Sequence, residues 1–155
     1  MNNKSTKINR KNTRGSVSVE MALLMIPLIV MAFGVAEFGR AIYQYNTLTK
    51  VVRDSVRVVS QHDSSDVVNY PLFEAEARCL AVHGTIDCSG PALLPGLTTG
   101  MVQISSAPDS GTGINMVTVT ISGYVFNFVF NPLAFFGNTA TNIPFGDIHS
   151  TMRQL

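Results

Sequence analysis

The chain has 155 residues, a length typical of one modest domain. Apolar residues make up 46% of it and charged residues only 14%, which argues against intrinsic disorder. The 12 glycines and 7 prolines show no period, which excludes a collagen-like chain. Because the net charge is +1, we expect no nucleic-acid partner bound through bulk positive charge.

The charge is placed unevenly along the chain. Residues 1–15 are polar and carry five bases and no acid, whereas the remaining six bases and ten acids leave residues 16–155 with a charge of −4. We interpret residues 1–15 as a disordered leader peptide. A basic head before an apolar run is typical of a targeting segment.

An uncharged apolar run covers residues 21–36 and is bracketed by Glu20 and Glu37. As a helix it spans roughly 24 Å, short of a ~30 Å hydrocarbon core, but extension to residues 17–39 gives roughly 34 Å. We therefore predict a transmembrane segment over residues 17–39. The closely spaced bases before it favour a cytoplasmic N-terminus.

The pattern then becomes amphipathic over residues 40–60. One stripe recurs at alternating steps of three and four: Phe38, Ala41, Tyr45, Leu48, Val52, Ser55 and Val59. This period predicts a helix that packs one face on a folded domain. The simplest interpretation is a single stem helix over residues 16–60, with a kink near Pro27 because proline lacks the N–H of a helical hydrogen bond.

Several elements of the stem occur in one register: Arg14-Gly15, Val19-Glu20, Pro27, Glu37-Phe38-Gly39-Arg40, and Asn46 followed by Arg53-Asp54 and Arg57. Gly15 followed by Ser16 and an apolar helix resembles the class III signal of type IV pilins. The whole stretch resembles the TadE-like family, the minor pseudopilins of tight-adherence (Flp-type) pilus systems.

The resemblance implies cleavage by a prepilin peptidase between Gly15 and Ser16. The amine of Ser16 would then pair with Glu20 of a neighbouring pilin, which offsets the cost of a carboxylate in lipid. One departure is Ser16 itself, because type IV pilins often carry Phe at this position. The implied partners are the peptidase, other pilins or pseudopilins, the pilus platform and the lipid bilayer. The implied location is the bacterial inner membrane, single-pass, with a periplasmic C-terminal domain.

Two other interpretations of the N-terminal region stay open. Gly34-Val35-Ala36 is a small-x-small site of the kind that signal peptidase cuts, and the mature protein would then be soluble and begin at Glu37. Against this, the apolar run is longer than a usual signal peptide and the helical pattern continues through the cut. The other alternative is an unprocessed signal-anchored envelope protein whose periplasmic domain binds a ligand or partner.

Residues 61–155 predict a small α+β domain after a polar linker at residues 61–70. Pro71 and Gly84 bracket a short helix over residues 72–83. Irregular loop is expected over residues 88–100, and strands over residues 101–107, 114–130 and 148–153, the second with or without a bulge at Gly123. These strands predict a three-stranded antiparallel sheet against the outer half of the stem. Four rings on one strand face are expected to lie in the core: Tyr124, Phe126, Phe128 and Phe130.

The two cysteines, Cys79 and Cys88, predict a disulfide in an extracytoplasmic domain, with two free thiols as the alternative. Cys79, His83 and Cys88 match no zinc pattern, and residues 63–66 lack the Gly and Glu of a calcium loop, so we expect no metal. The sequence contains no nucleophile elbow, phosphate loop or zinc-protease motif. We therefore expect neither an enzyme nor a cofactor.

Overall fold

The computed structural model describes residues 14–108, 113–131, 134, 135 and 137–155. In chain order the elements are α1 (Arg14–Ser60), α2 (Tyr70–His83), a 3-10 turn (Thr99–Met101), β1 (Val102–Pro108), β2 (Asn115–Ile121), β3 (Val125–Asn127), β4 (Asn142–Pro144) and β5 (Ile148–Arg153). The architecture is α+β, as predicted. All but the last two residues of the predicted leader, 1–15, lie outside the described part of the chain.

Helix α1 is continuous over 47 residues and confirms the predicted stem. At the rise of an α-helix it is roughly 70 Å long. Pro27 lies inside it without ending it. The kink near Pro27 stays a prediction.

The main sheet is antiparallel with strand order β1-β2-β5, and it lies against the outer half of α1. In its register Val119 of β2 is opposite Ile104 of β1 and Ser150 of β5. Val117, Val119 and Ile121 alternate with less buried residues and are themselves buried, because successive strand residues point to opposite faces. The predicted three-stranded sheet is therefore confirmed.

The core forms where this sheet meets the predicted stripe of the stem. Leu48, Val52, Val56 and Val59 of α1 are fully buried, together with Ala77 and Ala81 of α2. The amphipathic interpretation thus accounts for the packing of the stem from Leu48 onward, whereas Tyr45 of the predicted stripe is 50% exposed.

The prediction of one strand over residues 114–130 is wrong. The segment forms β2 and β3, which belong to different sheets, and β3 pairs with β4 in a two-stranded sheet that was not predicted. The break falls at Gly123, whose φ of +73° lies in the left-handed region that favours glycine. The turn redirects the chain, so it ends one sheet instead of forming a bulge within it.

The aromatic face that follows Gly123 packs inward, as expected. Tyr124 and Phe126 are buried, and both rings contact Phe145. Phe128 and Phe130 are half-buried against their neighbours. These rings cover a part of α1 that is N-terminal to the part covered by the main sheet.

Helix α2 begins two residues before the predicted start, at Tyr70, whose N–H donates to the Asp66 carbonyl at 2.9 Å. It ends at His83 and is capped by Gly84, which has a φ of +77° and donates its N–H to the Leu80 carbonyl. Cys79 on this helix is bonded to Cys88 in the following loop, which confirms the predicted disulfide. Strand β1 starts one residue late because Met101 belongs to the preceding 3-10 turn.

Candidate functional site

The residues predicted for cleavage and assembly lie along the N-terminal half of α1. Gly15, Glu20 and Pro27 are all exposed, and the side chain of Ser16 is outside the described part of the structure. Glu20 and Glu37 are 17 positions apart, which corresponds to roughly 26 Å along a helix. The structure therefore separates the predicted assembly residues from the second cluster of motif residues, around Glu37.

Glu37 is buried, with 6% of its surface exposed, although it lies on the stem next to the apolar run. Nη1 of Arg40 donates to Oε2 of Glu37 at 2.7 Å and to Oε1 at 2.9 Å. The i,i+3 spacing places the two side chains on one helix face. A buried carboxylate costs several kcal/mol unless it is paired, so Arg40 is what makes the position tolerable.

The carboxylate of Glu37 also binds the segment directly after β3. We name residues 128–131 of this segment the aromatic loop. The backbone N–H groups of Val129 and Phe130 donate to Oε2 and Oε1 of Glu37, each at 3.4 Å. At that length each bond is weak, but together they satisfy two loop amides and hold the loop against α1.

Aromatic contacts add to this attachment. The Phe130 ring lies 4.8 Å from the ring of Phe33, one turn before Glu37 on the stem. The guanidinium carbon of Arg40 lies 5.3 Å from the centre of the Phe126 ring, which is within cation–π distance. Arg40 thus joins the charged contact of the stem to the aromatic face of β3.

One turn further along α1, Gln44 continues the same face and is buried. The Tyr124 hydroxyl lies 3.0 Å from Oε1 of Gln44 and 3.2 Å from the Pro95 carbonyl, and its one proton is shared between these acceptors. Burial raises the pKa of Tyr124, and the positive charge of Arg40 opposes that rise. Tyr124 is therefore held as a neutral donor.

We name this arrangement the stem junction: Glu37, Arg40 and Gln44 of α1 with Tyr124, β3 and the aromatic loop. The spacing of three and four residues puts the stem members on one face. Every contact of the stem junction fixes the position of backbone or rings. These contacts attach β3 and the aromatic loop to α1.

The two central residues of the Glu37–Arg40 motif point elsewhere. Phe38 is 68% exposed, and a Cβ atom built at Gly39 would meet nothing within 4 Å. Contacts within the chain therefore give a structural role to Glu37 and Arg40. They give no such role to Phe38 or Gly39.

Further along the stem, Asn46 and Asp54 line a groove of about 550 Å³ between α1 and α2. Lys50 lies between them in the same groove. Arg53 and Arg57 are exposed on another part of the helix. The motif residues beyond residue 40 thus do not converge with the stem junction.

The residues considered for metal binding make contacts within the chain. Both sulfurs of the C-x3-H-x4-C pattern are in the disulfide, and Nδ1 of His83 lies 2.9 Å from the Gly90 carbonyl. The backbone N–H of Ser65 donates to Asp63, and the side-chain amide of Asn69 donates to Asp66; these hydrogen bonds lower the pKa of each carboxyl group. Within the described ranges, no three His, Cys, Asp or Glu side chains are grouped to hold an ion.

Sequence reasoning missed most of the stem junction. It named Glu37 and Arg40 through the family resemblance, without a structural role, and it assigned no role to Gln44 or Phe33. The helical spacing of Glu37, Arg40 and Gln44 is a signal that was present in the sequence. Their partners lie 80 to 93 positions away, and no local pattern indicates such a pairing.

The stem also matches a known family. The family model described as TadE-like protein matches residues 15–57. This confirms the TadE-like resemblance of the stem, and the TadE-like family is structural rather than enzymatic. The match ends inside α1, so α2 and all five strands lie outside it. Neither the curated proteins nor the solved structures contain a match to the chain.

Proposed function

We propose that this protein is a minor pseudopilin, a structural and assembly subunit of a tight-adherence pilus machine, processed after Gly15. The observation that carries the proposal is that the TadE-like segment forms one continuous helix whose two halves differ in burial. One face of the outer half is covered by the rest of the chain, whereas the N-terminal half presents exposed apolar surface. Such a helix is suited to insertion in a membrane and to packing with similar helices.

The exposed half needs an apolar environment that the chain does not supply. Leu24, Leu28 and Met31 are between 66% and 71% exposed, and they are typical of the whole run. Large contiguous apolar surface is rare on soluble monomers. Helix α1 is long and apolar enough to cross a membrane. Lipid and neighbouring stem helices are therefore its proposed surroundings.

Glu20 is the proposed assembly residue of this half. After cleavage it becomes the fifth residue of the mature chain, within reach of a new N-terminal amine on a neighbouring stem. An acidic side chain near a helix N-terminus is favoured by the helix dipole even in a monomer. The proposed assembly requires an intermolecular ion pair in addition, because a carboxylate in lipid needs a partner of opposite charge.

Phe38 and Gly39 support packing with other subunits at the outer end of the span. Small residues let helices approach closely in membranes, and Gly39 leaves open space on its face. The exposed Phe38 next to it supplies an apolar contact. We therefore assign this face of α1 to contacts with other pilins.

The C-terminal domain is proposed to project into the periplasm. The Cys79–Cys88 disulfide supports this side, since disulfides persist in oxidising compartments. The bases of residues 1–15 support a cytoplasmic N-terminus. Prepilin peptidase and the inner-membrane platform are the corresponding proposed partners.

The intact mass of protein purified from its native host tests the processing. We expect a mature chain that begins at Ser16. The variant Gly15→Leu should keep the leader, because the side chain hinders cleavage at the scissile bond. Ala36→Leu is the matched control, since it blocks only a cut by signal peptidase after Ala36. A mature chain that begins at Glu37, or uncleaved protein in the wild type, would contradict the proposal.

Crosslinking tests the assembly role of Glu20 separately. Glu20→Ala should be inserted and cut normally, yet fail to crosslink to pilins and abolish piliation. Glu20→Asp, one methylene shorter, should fail only in part. Normal pili and normal crosslinks in Glu20→Ala cells, at matched expression, would remove Glu20 from assembly and favour a generic membrane anchor.

A further inference from the structure

We propose that the aromatic loop enters the outer interface of the lipid bilayer, so that the protein contacts the membrane at a second place beside its stem. The inference rests on the membrane insertion of α1 in the proposed function. It adds that the folded domain itself contacts lipid, through Val129, its neighbouring rings and Phe135.

The position of the loop along α1 is the first argument. Phe130 packs on Phe33 at 4.8 Å, and Phe33 belongs to the uncharged apolar run. Phe33 lies six residues before position 39, the predicted outer end of the span, or roughly 9 Å along a helix. Elements that lie in a membrane interface bury their apolar face to about this depth. A bilayer that surrounds the stem at Phe33 therefore also reaches the loop.

The chemistry of the loop fits that depth. No charged residue occurs between Asp109 and Asp147, a stretch that includes the whole aromatic loop. Phe128 and Phe130 are turned partly towards the stem and β4, while Val129 is 82% exposed and Phe135 is 63% exposed. Val129 and Phe135 are therefore exposed apolar side chains in an uncharged stretch, and Val129 lies next to the residue that packs on the stem.

Loop backbone near hydrocarbon must also satisfy its own polar groups. The Phe128 N–H donates to the Thr141 carbonyl at 3.0 Å, and the next two amides donate to Glu37. The side-chain amide of Asn131 donates to the carbonyls of Asn138 and Ala140, at 3.1 and 2.7 Å. These groups are paired inside the chain, which lowers the cost of removing the loop from water.

The ion pair of the stem junction fits the same arrangement. Arg40 is partly exposed on the outer side of Glu37, where its charge remains in water or among lipid headgroups. Glu37 is covered by Arg40 and by the loop amides. The stem junction therefore marks the level at which apolar surface gives way to polar surface.

Fluorescence from single tryptophans tests the inference, because the natural chain contains none. The probe position is Val129→Trp. Phe33→Trp is the positive control on the stem at the same depth, and Val67→Trp is the matched control, since Val67 is 81% exposed in the polar linker. Each full-length variant is reconstituted at high lipid-to-protein ratio into phosphatidylcholine vesicles that carry bromine near the headgroup end of the acyl chains. Near-ultraviolet circular dichroism verifies the fold of each.

We expect Val129→Trp to emit at shorter wavelength than Val67→Trp and to lose at least about half as much emission to the brominated lipid as Phe33→Trp does. Quenching at Phe33→Trp with none at Val129→Trp would overturn the inference and leave the proposed function intact. Blue-shifted but unquenched emission from Val129→Trp would also overturn it, and would assign the loop to contact with another subunit. No quenching even at Phe33→Trp would overturn the membrane insertion of the stem and the inference with it.

Discussion

The two halves of α1 are both rich in apolar residues but depend on different surroundings. Leu48, in the outer half, is fully buried by the sheet and α2, whereas Leu28, in the N-terminal half, is 66% exposed. A leucine of α1 thus belongs to the core in the outer half and to the exposed surface in the N-terminal half. Apolar content alone does not distinguish a helix that supplies its own core from one that needs a bilayer.

Charge placement does distinguish the two halves. Residues 21–36 contain no charged side chain, whereas the outer half carries Lys50, Arg53 and Arg57, which are all exposed. A helix that is apolar all round is typical of a membrane span, and a helix with one apolar face is typical of packing on a domain. The stem junction lies where one pattern replaces the other.

The largest effect is expected from a matched pair of leucine substitutions. Leu48→Ala should lower the free energy of unfolding of the C-terminal domain by roughly 2–5 kcal/mol, because it leaves a cavity in the core. Leu28→Ala should leave that unfolding unchanged. Thermal and urea unfolding in detergent micelles, followed by near-ultraviolet circular dichroism, measure both. Equal destabilisation by the two variants would show that the halves are not independent.

Removal of the disulfide should cause the next largest loss in the free energy of unfolding, and only in the C-terminal domain. It closes a loop of nine residues' separation, so the double variant Cys79→Ser with Cys88→Ser should lose about 2–3 kcal/mol in the chain-entropy model. Reductant should reproduce that loss in the wild type and have no effect on the double variant. A wild-type protein whose two thiols are labelled without reductant would contradict the bond itself.

Glu37→Gln should have an intermediate effect. It removes the ion pair with Arg40 and weakens two loop contacts, and we expect a loss of about 1–2 kcal/mol, kept small because the Arg40 side chain is 40% exposed. Glu20→Gln is the control in the other half and should not alter domain unfolding. A double-mutant cycle with Arg40→Gln measures the coupling between Glu37 and Arg40. Zero coupling would mean that the pair does not stabilise the stem junction.

Much of the fold was predictable because its patterns are local. The stripe of the outer stem, the proline and glycine around α2, and the bounds of β5 at Ile148–Arg153 all follow from neighbouring residues. The strand over residues 114–130 was mispredicted for a physical reason. Alternation with period two continues on both sides of Gly123, so it does not reveal that the chain leaves one sheet and enters another.

The contacts of the stem junction, in contrast, were not predictable from local patterns. Glu37 and Arg40 were identified through the family resemblance, but their structural role depends on Val129 and Phe130, which are distant in sequence. The resemblance itself covers only the stem and so gives no information about the loop. Pairings across such a distance are decided by how β3 and β4 pack on α1, which a single sequence does not specify.

The smallest expected effect concerns pH and again belongs to the outer part of the molecule. Asp66 accepts hydrogen bonds from Asn69 and from the backbone N–H of Val68, and these hold the pKa of its carboxyl group below the ordinary value of 3.8. The ionised form is therefore favoured in the folded state. Its contribution to stability is present above about pH 4 and is lost as the pH falls through the lowered pKa, because the unfolded chain takes up the proton first.

Asp66→Asn should therefore make the unfolding free energy less dependent on pH below about pH 4, while its side-chain carbonyl oxygen still accepts from the N–H groups of Val68 and Asn69, just before α2. Asp147→Asn removes the same charge elsewhere and controls for net charge. The measurement is the unfolding midpoint in urea between pH 2 and pH 6, again followed in detergent micelles. Asp63 and Asp87, whose pKa values are lowered in the same way, should leave a residual slope in the variant. An identical change in the two variants would mean that the hydrogen bonds of Asp66 do not link its protonation to folding, and that only net charge matters at the start of α2.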